Sequence, residues 1–151
     1  MITYTGCQKL LNWFCGRSTS YSILYAGLSS TEPTVAGANV NEPKVNSYGR
    51  VQVAYNGSSK FGAPTNNISG SQVVNNAQIY FPETYNSASD TVEDWGELGW
   101  ICLFDAASGG NLIAFDALPA KIHPGGNGES TIPIIRVGDA KITLGNADAQ
   151  E

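Results

Sequence analysis

Charge is what this sequence has least of. Only 14% of its 151 residues are charged, against roughly 25% in ordinary soluble chains, so its polarity has to come from uncharged groups. Basic residues are the scarcer kind. Eight Lys and Arg stand against thirteen Asp and Glu, for a net charge of −5 and a pI near 4.7. That balance removes the counterion-release driving force for nucleic acid, and no nucleic-acid partner is expected. No run approaches the ~18 consecutive apolar residues of a membrane span, so no membrane insertion is expected. The first residues lack the basic and apolar regions of a secretion signal, which leads to the expectation that the chain starts its life in the cytoplasm. Tyr4-Thr5-Gly6-Cys7 has too little apolar sequence before it to be a lipidation site.

Residues that carry chemistry are equally sparse. Cys7 and Cys15 lie eight apart, about 12 Å on a helix and beyond the ~7 Å reach of a disulfide. With Cys102 they make an odd total of three, predicted to be buried free thiols in a reducing compartment. No C-x-x-C pair exists, so structural zinc is not expected. The single histidine, His123, precedes Pro124-Gly125, and no Gly-x-Ser-x-Gly elbow supplies a nucleophile for it. Gly109-Gly110 lead into a strand and not into a helix, so no phosphate cradle forms. Between Lys60 and Lys121 there is no basic residue, while Glu83, Asp90, Glu93, Asp94, Glu97, Asp105 and Asp116 give that stretch a charge of −7. Its closest acids, Asp90, Glu93, Asp94 and Glu97, lack the spacing of a calcium loop or a specific carboxylate pair. They read as a solvated rim. No catalytic residue, cofactor or metal is expected.

What is present points to strands. The hydrophobic share is an ordinary 42%, and seventeen glycines with many Ser, Thr and Asn suit short strands joined by turns. One helix is predicted over about residues 5–16. Thr5-Gly6-Cys7-Gln8 fits a capping box, Cys7, Leu10, Leu11, Phe14 and Cys15 form an apolar stripe, and Gly16 is placed to end it. A docked stripe of that kind makes Leu11→Ala or Phe14→Ala cost roughly 2 to 5 kcal/mol. Strands are predicted at Tyr21 to Leu28, Val51 to Tyr55 with a turn at Asn56-Gly57, Gln72 to Phe81, Leu98 to Phe104, Leu112 to Leu118, Ile132 to Val137 and Ala140 to Leu144. Leu98 to Phe104 is apolar on both faces and reads as central, its hairpin partner being Leu112 to Leu118 across Asp105 to Asn111. Pro133 marks an edge strand, and residues 146–151 read as a frayed tail. The fold class expected is mainly β: a single domain over residues 1–151, an antiparallel β-sandwich of about seven strands with one short N-terminal α-helix.

Function is then sought on the surface. Trp13 lies off the apolar stripe, Glu32-Pro33 and Glu42-Pro43 punctuate a long loop from Ser29 to Ser47, and Trp95 sits in the acidic stretch. Trp13, Glu32, Pro33, Glu42, Pro43 and Trp95 are the candidate partner contacts. The loop from Ser29 to Ser47 and the segment from Glu83 to Glu97 look too extended and too poor in apolar residues to stabilise themselves, and a partner is expected to order them. Trp95, Trp100, Tyr25, Tyr48, Tyr80 and Tyr85 are candidates for a sugar-stacking platform, with most of them expected in the core.

Four stretches carry a family likeness: Leu10 to Gly16; Leu24 to Thr34; Glu42-Pro43 through Tyr48-Gly49-Arg50-Val51; and Asp94-Trp95-Gly96 followed by Leu103 to Leu112. In these the chain resembles small tailed-phage virion proteins usually labelled tail fibre proteins, whose members open with a short helix and carry a β domain. It departs from them in a longer acidic segment from Glu83 to Glu93 and in Ile132-Pro133. The resemblance implies a non-enzymatic structural component of a virion, on the tail fibre, at the baseplate or on the capsid. Its partners would be other virion subunits, copies of itself among them. The alternative reading is a carbohydrate-binding module for a bacterial surface glycan.

Overall fold

The computed structural model describes residues 1–17, 23–55, 58–67 and 70–145; the side chains of residues 13, 14 and 67 lie outside that description. The expectations for Tyr21, for the Asn56-Gly57 turn and for the tail at 146–151 fall outside the described residues. In chain order the elements are α1 (Tyr4–Phe14), β1 (Ile23–Ser29), β2 (Val51–Tyr55), β3 (Ser58–Ser59), β4 (Thr65–Asn67), β5 (Gly70–Val74) and β6 (Ile79–Tyr80). They continue with β7 (Tyr85–Asn86), β8 (Thr91–Val92), β9 (Leu98–Phe104), β10 (Leu112–Ile122), β11 (Ile134–Ile135) and β12 (Lys141–Gly145). The chain is mainly β with one short N-terminal helix. The described residues hold twelve strands where about seven were expected, because several are two-residue pairs.

A five-stranded antiparallel sheet in the order β10-β9-β1-β2-β3 forms the body. β9 is central, as its two apolar faces imply. Each face is covered by something different. Ala26, Leu28, Val53, Ile101, Leu103 and Ala114 face a second layer that supplies Ile79, Phe81, Trp95, Ile135 and Ala140, from the β11-β6 pair, the loops beside it and the turn into the β12-β5-β4 sheet. On the opposite face Cys102, Phe104, Leu112 and Phe115 are roofed by Val35 and Val40 of the long loop. The architecture is two-layered and sandwich-like, with that loop as a third cover.

Two strand expectations need correcting. Gln72 to Phe81 is not one strand, since buried Asn75 breaks it: its Nδ2 donates to the carbonyls of Ala77 and Arg136, and its Oδ1 accepts from the amides of Gly138 and Ala140. An amide side chain that satisfies four backbone groups builds a turn where the period-2 pattern alone reads straight through. Ile132 to Val137 and Ala140 to Leu144 do not close the main sheet either. The first shrinks to β11, which pairs with β6, and the second, shifted by one residue, is β12, which pairs with β5. Leu112 continues to Ile122, through Pro119. Pro119 is tolerated because β10 is an edge strand of its sheet.

The helix differs from expectation at both ends of its argument. Its cap is Thr3, not Thr5: the Thr3 carbonyl accepts Cys7 N–H at 2.9 Å, and the hydroxyl accepts Gly6 N–H at 3.1 Å while donating to the Leu112 carbonyl at 2.6 Å. Thr3 thus caps the helix and fastens it to β10 together. A Cβ on Gly6 would lie 2.3 Å from the Ile113 carbonyl oxygen, so the glycine sets how closely helix and strand approach. Gly16 ends the helix as expected, at φ +68°, and Arg17 N–H returns to the Asn12 carbonyl at 2.7 Å. The apolar stripe does not face inward as a whole. Leu11 is 62% exposed and Cys15 is exposed, while Leu10 and Cys7 are half-buried. The three thiols are free, but only Cys102 is buried.

Candidate functional site

Residues from three of the four family-like stretches converge on one place, a clasp centred on Arg50. Arg50 ends the long loop just before β2. Its Nε and Nη2 bond the Glu42 carboxylate at 2.6 to 3.1 Å, and its Nη1 donates to the carbonyls of Ala106 and Gly109 in the β9–β10 turn, at 2.9 and 2.7 Å. The guanidinium carbon lies 3.3 Å from the centre of the Phe104 ring. One side chain therefore ties the end of the loop to Glu42 within it and to the hairpin, using the planar fork that lysine lacks. The Arg50 side chain is 9% exposed and that of Glu42 20%.

Tyr48 completes the clasp. Its hydroxyl donates to Glu42 Oε1 at 2.6 Å and accepts the Leu28 amide at 2.9 Å. Burial, reinforced by the Glu42 carboxylate, pushes this phenol far above its ordinary value. Gly27 leaves the space: a Cβ there would sit 2.6 Å from Glu42 Oε1, 2.9 Å from the Phe104 ring and 3.0 Å from the Tyr48 hydroxyl. Beneath them burial, with Glu42 nearby, pushes the Cys102 thiol up to about 12. It is a packed apolar group and not a nucleophile.

The clasp runs on into the acidic stretch. Trp95 meets Tyr48 edge to face at 5.1 Å and donates from Nε1 to Ser47 Oγ at 2.9 Å. Glu93 accepts the Ser47 amide at 2.6 Å and Asn86 Nδ2 at 2.9 Å. The Asn86 amide first, and then the Ser47 N–H, hold its carboxyl below the usual range. The acids around it part company. Asp90 takes the Tyr85 hydroxyl, Glu97 pairs with Lys121 at 2.5 Å, and Asp94 bonds His123 at 2.9 Å on an exposed rim. The Gly96 N–H, more than His123, holds the Asp94 carboxyl low. No nucleophile is in hydrogen-bond contact with His123 among the described residues, so the pair forms no triad. Among those residues no three Asp, Glu, His or Cys are grouped to hold a metal ion.

The contact candidates fare unequally. Trp95 is 4% exposed and Pro33 is buried, so neither is offered to a partner; their aromatic and apolar surfaces are spent on the core. Glu42 is half-buried and taken by Arg50 and Tyr48. Pro43 is half-buried, Glu32 is exposed, and the Trp13 side chain lies outside the described residues. The aromatic platform does not assemble either: Trp95 and Tyr48 are inside, and Trp100 packs edge-on against Phe115. The Arg50 clasp itself escaped the sequence reading, although Glu42-Pro43 and Tyr48-Gly49-Arg50 were among the family-like residues. The available signal was an arginine in a chain with so few bases.

The loop expected to await a partner is bonded within the chain. Ser30 N–H reaches the Asn41 carbonyl, Thr34 and Ala38 close a turn, Asn41 N–H bonds Ser29 Oγ, and Asn39 Nδ2 bonds the Glu32 carbonyl. Tyr4 N–H meets the Val35 carbonyl at 2.9 Å.

Comparison with known families agrees with this framework. The family described as Gp80, podophage GP4 fiber I protein gp80, matches residues 1–141. The chain belongs to that family. No curated protein matches it. As a podophage fibre-family protein it is a structural component of the virion. Several residues that carry the fibre-family likeness, Gly27, Glu42, Tyr48, Arg50, Trp95 and Phe104, bond or pack within the chain, whereas the Asp105–Asn111 turn is exposed over residues 107–111. Among the described residues no helix is long and apolar enough to cross a membrane.

Proposed function

We propose that this chain is a non-enzymatic subunit of the phage particle, at the fibre, the baseplate or the capsid surface, that works through protein–protein contacts in a multi-copy assembly including copies of itself. The observation that carries this reading is the internal use of the family-like residues: the Arg50 clasp spends its charged and aromatic groups on tying loop to hairpin. What is left for function is a surface rich in uncharged polar residues, with scattered apolar groups and a modest number of exposed charges such as Glu32, Lys44, Glu83 and Arg136, which meets other subunits while stripping water from few ions. Assembly takes place in the host cytoplasm before incorporation.

The glycan-binding alternative keeps one observation in its favour, the self-bonded loop, since a preformed site suits a small ligand. Against it, Trp95 is buried and Trp100 is half-buried against Phe115, which leaves Tyr80 and Tyr85 as the exposed members of the platform set. Quantitative mass spectrometry of purified particles tests the main reading: many copies per particle are expected, and absence from the particle overturns it. The purified chain should also have no hydrolytic activity on glycans or peptides. Turnover that is lost in Glu93→Gln, Asp94→Asn or Glu97→Gln would contradict that.

A further inference from the structure

The β6–β11 pair has an inner and an outer face. Ile79 and Ile135 pair in the core, and the next cross-strand pair, Tyr80 with Ile134, points outward. Tyr80 is 52% exposed, Ile134 42%, and Ile132, two residues before it on the same face, 53%. Exposed Pro82 lies opposite Ile132, because the pairing continues through Phe81 N–H to the Pro133 carbonyl. These four side chains form a contiguous apolar strip that the chain itself leaves bare.

The ends of the strip carry opposite charge. At one end Glu83 accepts the Ser130 hydroxyl at 2.7 Å, with Glu129 next in sequence. At the other end stands exposed Arg136, two residues beyond Ile134, with Lys60 donating to the Gln78 carbonyl at 3.2 Å. Asp139 follows Arg136 in a turn and is half-buried. Neither Arg136 nor Glu83 has an ion-pair partner among the described residues.

We propose that this strip docks on the same strip of a second copy of the chain, antiparallel about a two-fold axis. Tyr80 and Ile134 meet their counterparts at the centre, and Arg136 of each copy faces Glu83 of the other. The inference rests on the reading that the chain works through contacts with its copies, and it names the face. A net charge of −5 makes most copy–copy contacts repulsive. A strip with a basic end, an apolar middle and an acidic end matches itself, but only in the antiparallel sense; a parallel overlay sets arginine on arginine. The contact is small, so the isolated pair associates weakly and gains from repetition in a particle.

Sedimentation equilibrium of the full chain up to millimolar concentration tests this, with circular dichroism to check that each variant is folded. The parent should form dimers and Ile134→Asp should not. Arg136→Glu or Glu83→Arg alone should weaken association by about tenfold or more, and the double reversal should restore it. Restoration is the decisive readout, because general surface damage would add instead of cancelling. A parent that stays monomeric throughout overturns the proposal, as does a double variant no better than the singles. Association untouched by Ile134→Asp overturns this face and leaves the multi-copy reading standing, whereas that reading fails on absence from the particle.

Discussion

At the scale of single residues, the fold rests on a few side chains whose partners are many. Arg50 serves a carboxylate, two carbonyls and a ring at once, so removing it leaves a mostly buried Glu42 uncompensated. Arg50→Ala is expected to cost about 3 kcal/mol, within the span for breaking a buried pair, read from urea unfolding. A loss below about 1 kcal/mol would mean the pair is solvated. Leu11 gives the contrasting case. Its position in the stripe predicts a large loss on truncation, but at 62% exposure Leu11→Ala should change stability by no more than about 0.5 kcal/mol. The side chain of Phe14, the other member of that expectation, lies outside the described residues. Sequence periodicity identified the helix but not its docking face, because the approach is set by Thr3 and Gly6, a cap and a hole, which carry no weight in an apolar pattern. Asn75 escaped for a similar reason: a polar residue inside an apolar run reads as an outward position until its four backbone partners, most of them some sixty residues away in the chain, are known.

At the scale of elements, what was legible was local. The β9–β10 hairpin, central β9, the strand at Val51 to Tyr55 and the Gly16 stop follow from alternation and turn chemistry. The loop from Ser29 to Ser47 was legible only as long and irregular, since its covering role depends on Val35 and Val40 meeting the back of β9 and β10. Its bonds imply a protease test: trypsin should cut slowly at exposed Lys44 in the parent and markedly faster in Arg50→Ala. Equal rates would show that the clasp does not hold the loop. The helix and the hairpin turn are coupled through Asp105, whose carboxylate accepts Lys9 at 2.5 Å and both the amide N–H and the side chain of Asn111. Burial works against ionisation there, but Asn111 and Lys9 outweigh it and hold the group down to about 2. A carboxyl lower in the folded state than its unfolded value of about 3.9 stabilises fully above that value and loses the contribution as pH falls towards 2. Thermal melts from pH 6 to 2 should therefore have a steeper acid limb in the parent than in Asp105→Asn. The difference should be modest, since the Asp105 side chain keeps 14% of its surface exposed and Lys9 keeps 34%, so solvent still screens the pair. Identical limbs would remove Asp105 from the account.

At the scale of the molecule, a chain short of charge and of chemistry commits a few charged and aromatic residues, Arg50, Glu42, Tyr48, Trp95 and Phe104, to holding its loop and hairpin together. The family likeness was legible in the sequence through the stretches that contain those residues. What they do was not, since a motif seen as letters does not distinguish a clasp from a contact: Trp95 and Glu42 read as partner-facing and are both committed inside. The most direct measurement is an electron-microscopy reconstruction of the particle at side-chain detail. It should contain this fold in repeated copies, with the Arg50–Glu42–Tyr48 clasp closed inside every copy and subunit contacts made by other surfaces. Copies in which Arg50 and Glu42 are drawn out to bond a neighbouring subunit, or a particle without the chain, would contradict the account.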